Sequence, residues 1–182
     1  MRTTFLLLVL SISIFGYSQV TKTINVETPG SLSTLLSEDE KSTVTDLTVT
    51  GTIDARDIKC IRDQIAKITN LDLSNANISA FEGNATSSVT TSFNANEMPR
   101  SSFYRSGSAV SVTPLTTIML PNSLTSIGDY AFYLCTNIKS IFIGNSISNI
   151  GEYAFEGCLG LTTVTMGNSV KTIQKEAFGY CS

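Results

Sequence analysis

The sequence predicts an α/β solenoid: a stack of short parallel strands and short helical turns, closed by an N-terminal cap. Three observations carry that prediction. One unit recurs every 23 residues. Leu124, Ile127, Ala131, Phe132, Cys135, Ile138, Ile141 and Ile143 return as Ile147, Ile150, Ala154, Phe155, Cys158, Leu161, Val164 and Met166, and then in part as Val170, Ile173, Ala177, Phe178 and Cys181. The end of each unit alternates, so Ile141 and Ile143 face one way and Ser140 and Phe142 the other, as in a strand. A single unit cannot bury its own apolar face. Each apolar side chain contributes about 1.5–3 kcal/mol only when covered, and the cover comes from the units on either side.

The elements follow in chain order. In residues 1–18, Arg2 precedes the apolar run Phe5–Leu10, and Gly16 and Ser18 place small residues just before Gln19. This is the pattern of a secretory signal peptide. A membrane-spanning helix needs about twenty apolar residues, and Ser11, Ser13 and Ser18 interrupt this run. The expectation is an exported chain, secreted or at the cell surface, with no membrane span after cleavage. Residues 19–43 do not fit the repeat and are expected to form the N-terminal cap. Thr23–Val26 reads as a strand, Ser31–Leu36 as a short helix after Pro29-Gly30, and Glu38–Lys41 as a solvated charge run. Ile58, Ile61 and Ile65 stand at i, i+3 and i+7, which predicts a core-facing helix over residues 55–65.

Repeats are expected over 44–182, about five to six of them with a period of 23–24 residues and the last incomplete. Val44-x-x-Leu47-x-Val49, Ile68-x-x-Leu71-x-Leu73 and Leu115-x-x-Ile118-x-Leu120 share the spacing of the strand. Met98–Tyr104 aligns with Ile127–Tyr133 as a weaker copy. Insertions fall within 80–97 and 105–112, rich in Ser, Thr, Asn and Gly, as exposed loops are. Ala131, Phe132 and Cys135 at i, i+1 and i+4 predict one apolar face of a helical turn, with Asp129 and Glu152 at the N-terminal end of their turns, where the helix dipole favours anions. The expected core columns are Ile127, Ile150 and Ile173; Ala131, Ala154 and Ala177; Phe132, Phe155 and Phe178; and Cys135, Cys158 and Cys181. Pro121 shares a column with Gly144 and Gly167, so those glycines are not there for a positive φ.

Composition narrows the function. The formal charge is −3 and no basic run exists, so the footprint for nucleic acid or an anionic membrane is missing. The chain has no histidine, which removes Ser-His-Asp and Cys-His catalysis and most zinc sites. The cysteine column could be a disulfide, a redox pair or a metal site; the reading adopted is a stacked row of buried thiols. Three cysteines cannot pair completely, and positions on the outer side of a stack stand wider than a disulfide allows. Cys60 is expected packed or half exposed. Asp46 and Asp72 occupy different columns and read as surface groups. Asp54, Asp57 and Asp63 beside Arg56 and Arg62 read as surface ion pairs worth under about 1 kcal/mol. No catalytic, cofactor-binding or metal residue emerges, and the chain reads as a non-enzyme that needs no cofactor.

A binding surface is the stronger reading. Thr48, Asp72, Met119, Phe142 and Thr165 form one outward column of the strand side, and Thr117, Ser140 and Thr163 a second. These could be mere solvated strand residues, but Met119 and Phe142 put two apolar groups side by side at the surface, which marks contact sites.

The repeat resembles the BspA-type leucine-rich repeats of bacterial surface proteins. The resemblance rests on Ile127-Gly128-x-x-Ala131-Phe132-x-x-Cys135 and Ile150-Gly151-x-x-Ala154-Phe155-x-x-Cys158, each followed by the Leu-x-x-Ile-x-Ile stretch. It covers residues 44–182 and departs at Gln174-Lys175-Glu176. It implies a leucine-rich repeat fold and an adhesion module for protein ligands, either host extracellular matrix or bacterial surface proteins, with a polysaccharide ligand as a further option. A structural spacer or truncated fragment that presents another domain is the alternative function. A right-handed parallel β-helix is the alternative architecture, disfavoured because Ala-Phe-x-x-Cys suggests a helical turn rather than a third strand. The repeat stops at Cys181 without a capping sequence, and a bare repeat edge predicts self-association.

Overall fold

The computed structural model describes residues 19–84, 91–104 and 114–181. The expected signal peptide and the insertion at 105–112 lie outside the described residues. The chain opens with β1 (Thr21–Val26), α1 (Leu32–Leu35) and α2 (Glu38–Thr43). The Ser37 hydroxyl accepts from the Glu40 N–H while the Glu40 carboxylate accepts from the Ser37 N–H. The expected charge run is therefore the first turn of a helix, closed by a capping box.

Next come β2 (Asp46–Ile53) and α3 (Ala55–Gln64). β2 is long enough to feed two ladders. Its first half, Asp46–Thr48, pairs in parallel with β3 (Asn70–Asp72), and its second half, Gly51–Ile53, with β4 (Ala76–Ile78). In the first insertion, β5 (Phe81–Gly83) and β6 (Thr91–Phe93) form an antiparallel hairpin. Phe81 stacks on Phe93, and the Arg56 guanidinium lies 4.7 Å from the Phe81 ring centre, which fastens the hairpin to the start of α3. The remaining strands are β7 (Glu97–Met98), β8 (Thr117–Met119), β9 (Ser126–Ile127), β10 (Ser140–Ile143), β11 (Asn149–Ile150), β12 (Thr163–Met166) and β13 (Thr172–Ile173).

All of these later strands run parallel to their partners. One wall reads β1-β2-β3-β8, then β10-β12; Lys139 N–H reaches the Thr116 carbonyl at 3.4 Å where β8 passes β10. A second wall reads β7-β9-β11-β13. The first wall is the expected strand side. The second was not anticipated, because its strands are two residues long, too short to show alternation.

The third wall corrects the expected helical turns. Among the described residues no helix forms over 129–135, 152–158 or 175–181. Each segment instead carries two residues in the left-handed region: Tyr130 and Leu134 (φ 56° and 57°), Tyr153 and Gly157 (56° and 69°), Glu176 and Tyr180 (50° and 53°). Only one of these is a glycine. The left-handed residues turn alternate peptides so that their N–H groups point at the next coil. Tyr130, Phe132 and Leu134 donate to the carbonyls of Glu152, Ala154 and Glu156 at 2.9, 2.7 and 2.8 Å. Tyr153, Phe155 and Gly157 donate to Lys175, Ala177 and Gly179 at 3.0, 2.8 and 2.9 Å. The intervening N–H groups of Ala131 and Tyr133 turn back to Gly128 and Tyr130 in their own coil. A helix would keep its N–H groups to itself. A left-handed non-glycine costs about 1–2 kcal/mol, and the inter-coil hydrogen bonds, worth about 0.5–1.5 kcal/mol each, offset it. Asp129 accordingly caps no helix; its carboxylate accepts from the Glu152 N–H of the next coil at 2.9 Å.

Between the walls lies one row of rings. Phe103, Phe132, Phe155 and Phe178 stack with centres 5.3, 5.0 and 5.1 Å apart and planes within 13°, 6° and 2° of parallel. The pairing of Met98 with Ile127 puts Phe103 at the head of that row. Coils approach closely at the Ile-Gly step. A Cβ on Gly128 would lie 2.7 Å from the Met98 carbonyl oxygen, and one on Gly151 2.6 Å from the Asp129 carboxylate. Ile127, Ile150, Ala131, Ala154, Phe132, Phe155, Cys135 and Cys158 are fully buried, and Ala177 is buried. Ile173 is not: it is 50% exposed, and Phe178 and Cys181 are half-buried. They hold the right register, but no described coil covers their outer side.

The acidic cluster on α3 also departs from expectation. Asp54, Asp57 and Arg62 are buried. Asp57 accepts from the N–H groups of Gly30, Leu32 and Asp54 at 2.6, 2.9 and 2.9 Å, which ties α3 to the N-terminal segment. Arg62 donates to the carbonyls of Ser101 and Tyr104. Spacing along a helix is the same for a surface pair and a buried clamp, so the pattern could not separate them.

Candidate binding surfaces

The strand wall presents two outward columns. Parallel register sets Thr23 beside Thr48, Thr48 beside Asp72, Asp72 beside Met119, and Phe142 beside Thr165. Thr117, Met119, Ser140, Phe142, Thr163 and Thr165 are exposed, and Thr48 and Asp72 half-buried. Met119 and Phe142 are 48% and 57% exposed on β8 and β10. Strand alternation forces this: their neighbours Ile118, Ile141 and Ile143 point inward and are buried. Asp72 is engaged locally, accepting from the Ser74 N–H at 2.8 Å. Asp46 accepts from the side chains of Thr45, Asn70 and Gln19. Burial pushes its carboxyl pKa up, but these three hydrogen bonds outweigh it and leave it below the usual range.

The turn wall carries a second surface that the apolar columns did not reveal. Tyr104 meets Tyr133 edge-on at 5.0 Å, Tyr133 meets Tyr130 at 5.5 Å, and Tyr130 stacks on Tyr153 at 5.0 Å. All four are half-buried. The Lys175 ammonium lies 5.5 Å from the Tyr153 ring centre. Burial pushes the Tyr130 hydroxyl pKa up, and Tyr153, Glu152, Asp129 and Glu156 add to the shift; Tyr133 is raised by burial and by Glu156. The pairing of Tyr130 with Tyr153 was visible as a 23-residue repeat of an aromatic residue just before Ala-Phe.

The thiols are structural in their contacts. None of the four cysteines forms a disulfide. Cys158 donates its S–H to the Phe132 carbonyl of the preceding coil at 3.1 Å, and Cys181 repeats this on Phe155 at 3.3 Å. Burial pushes the Cys158 and Cys181 thiols up, away from the reactive thiolate. Cys60 is buried, and burial raises its thiol to about 11. Among the described residues no three Cys, Asp or Glu side chains converge as a metal site, and no helix is long and apolar enough to cross a membrane.

Residues 108–182 match the family model described as a BspA type leucine-rich repeat region of six copies. No curated protein matches the sequence. Two solved structures are similar. A leucine-rich repeat protein from Eubacterium ventriosum is 19% identical over 74% of this chain and 39% of its own, with a TM-score of 0.37. A leucine-rich cell surface protein from Faecalibacterium prausnitzii is 19% identical over 78% of this chain and 38% of its own, also with a TM-score of 0.37. The chain thus spans well under half the length of either. Residues 108–182, whose parallel strands keep a 23-residue register, thus carry the BspA-type leucine-rich repeat pattern.

Proposed function

We propose that the chain is an exported surface module, a solenoid that binds protein ligands through its strand wall and carries out no chemistry of its own. In this reading residues 1–18 direct export, residues 19–43 seal the first coil, and the repeats of 44–182 present the surface. The single observation that supports it best is the pair Met119 and Phe142, two large apolar side chains exposed on adjacent strands of one wall. Apolar groups set among Thr117, Ser140, Thr163 and Thr165 make an apolar centre with a hydroxyl rim, the layout of a protein contact. The absence of histidine from the whole sequence argues against acid–base catalysis.

The test is retention on immobilised extracellular matrix proteins, bacterial surface proteins and polysaccharides. Met119→Ser with Phe142→Ser is expected to abolish retention on a protein ligand and leave the melting temperature within about 2 °C, because neither side chain is buried. Retention on none of the proteins by the parent chain, or unchanged retention of the variant, contradicts the proposal.

A further inference from the structure

The tyrosine row on the turn wall is a second surface, remote in character from the strand wall. It joins two features. Rings of Tyr104, Tyr133, Tyr130 and Tyr153 touch in series, and the carboxylates of Asp129, Glu152 and Glu156 act on them. Aromatic faces carry negative potential, and carboxylates deepen it. The complementary ligand is cationic.

The chain itself supplies an example. Lys175 sits over the ring of Tyr153, the residue 22 positions before it. The Lys175 pKa stands above its ordinary value through a hydrogen bond with the Tyr153 hydroxyl, helped by the charges of Glu152 and Glu176. The same step from Tyr130 leads to Glu152, not to a lysine. Where the last coil places an ammonium over Tyr153 of the coil before it, that coil has a carboxylate, Glu152, in the corresponding column. Tyr130 and Tyr133 therefore have the surroundings of a cation site, and among the described residues the cation–π contact of this row is the one between Lys175 and Tyr153.

We propose that the row of Tyr130, Tyr133 and Tyr153, with Glu152 and Glu156, binds a lysine- or arginine-bearing segment of a partner protein. A guanidinium would stack on the Tyr130 or Tyr133 ring while the carboxylates take its N–H groups. The site is independent of the strand-wall reading: it uses none of its residues and can stand or fall alone.

The chain has no tryptophan and six tyrosines, so its intrinsic emission comes from tyrosine, four of the six standing in this row. The protein is titrated with an Arg-Ser repeat peptide, a Glu-Ser repeat peptide and a neutral oligosaccharide. The expected result is saturable quenching by the Arg-Ser peptide alone. Tyr130→Leu with Tyr153→Leu keeps every charge, so it separates ring binding from general attraction to an acidic protein. It is expected to weaken peptide binding about tenfold or more, in line with two cation–π contacts, when read by calorimetry. Should that variant not fold, Glu152→Gln with Glu156→Gln leaves the rings in place and is expected to weaken binding several-fold more than Asp39→Asn, which lies on α2. Unchanged affinity in the tyrosine variant, equal loss with Asp39→Asn, or quenching by the oligosaccharide and not by the Arg-Ser peptide overturns the proposal.

Discussion

Arg62 donates from α3 to the backbone carbonyl of Ser101 at 3.0 Å, across 39 residues of sequence. It also donates to the Tyr104 carbonyl at 3.2 Å. Ser101 is a rung of the turn wall, for its N–H donates to the Asp129 carbonyl and Phe103 donates to Ala131. The backbone bonds from Ser101, Phe103, Tyr130, Phe132 and Leu134 point the same way, N–H toward the C-terminal coils and carbonyls back toward α3. Aligned peptides add their dipoles, as they do in a helix. The guanidinium of Arg62 stands at the α3 end of that wall, on the Ser101 and Tyr104 carbonyls.

Removing that cation has a defined consequence. Arg62→Met keeps the aliphatic stem and loses the donors, leaving the Ser101 carbonyl without them. The expected loss is about 1.5–3 kcal/mol, the range for a hydrogen bond to a charged group. Urea unfolding followed by circular dichroism reads it; a change under about 0.5 kcal/mol counts against the arrangement.

The left-handed residues make a prediction of opposite sign. Tyr180 has φ 53°, is 78% exposed, and stands in the column where the preceding coil has Gly157. Tyr180→Gly relieves a left-handed strain of about 1–2 kcal/mol and gives back about 0.5–1 kcal/mol in chain entropy. A net gain of roughly 0.5–1 kcal/mol is expected in thermal unfolding. A loss would mean that the turn holds another conformation.

Acid sensitivity follows from two carboxyls. The hydrogen bond from Lys22 leads in holding Glu40 down at about 2, against an ordinary 4.5. Burial pushes Asp63 up, but hydrogen bonds from Arg62 and Lys59 outweigh it and hold it at about 2, against 3.8. Both folded values lie below the unfolded ones, so their stabilisation is present above about pH 4.5 and is lost as the pH falls toward 2. With no histidine to titrate, stability is expected to stay flat between about pH 5 and 8. Melting temperatures across that range check it, and a step near pH 6.5 would contradict it.

How far the sequence reveals this fold depends on the type of residue. Period and alternation set Ile141 opposite Val164 and Phe142 opposite Thr165, and the strands pair in that register. Apolar residues announce themselves by spacing. The conformation of the turn does not: Tyr130, Leu134 and Tyr153 adopt positive φ without being glycines, and only Gly157 hints at it. Ala-Phe-x-x-Cys has helical spacing, yet neighbouring coils compete for its N–H groups and win. Buried charge is equally silent in sequence, since Asp57 and Arg62 owe their burial to Gly30, Leu32 and Ser101, residues distant in the chain. For the surface, Met119 and Phe142 could be placed by alternation alone, whereas the tyrosine row, though Tyr104 aligns with Tyr133 and Tyr130 with Tyr153, needed the turn geometry to bring Tyr130 against Tyr133 and join the two columns.

The mutual sealing of coils is tested most directly by comparing Phe155→Ala with Phe178→Ala. Phe155 is fully buried between Phe132 and Phe178, while Phe178 has a described ring on one side and is half-buried. Equilibrium urea unfolding is predicted to show a loss of about 3–5 kcal/mol for Phe155→Ala and about half that for Phe178→Ala. Equal losses, or a loss under about 1 kcal/mol at Phe155, would contradict a continuous interior row.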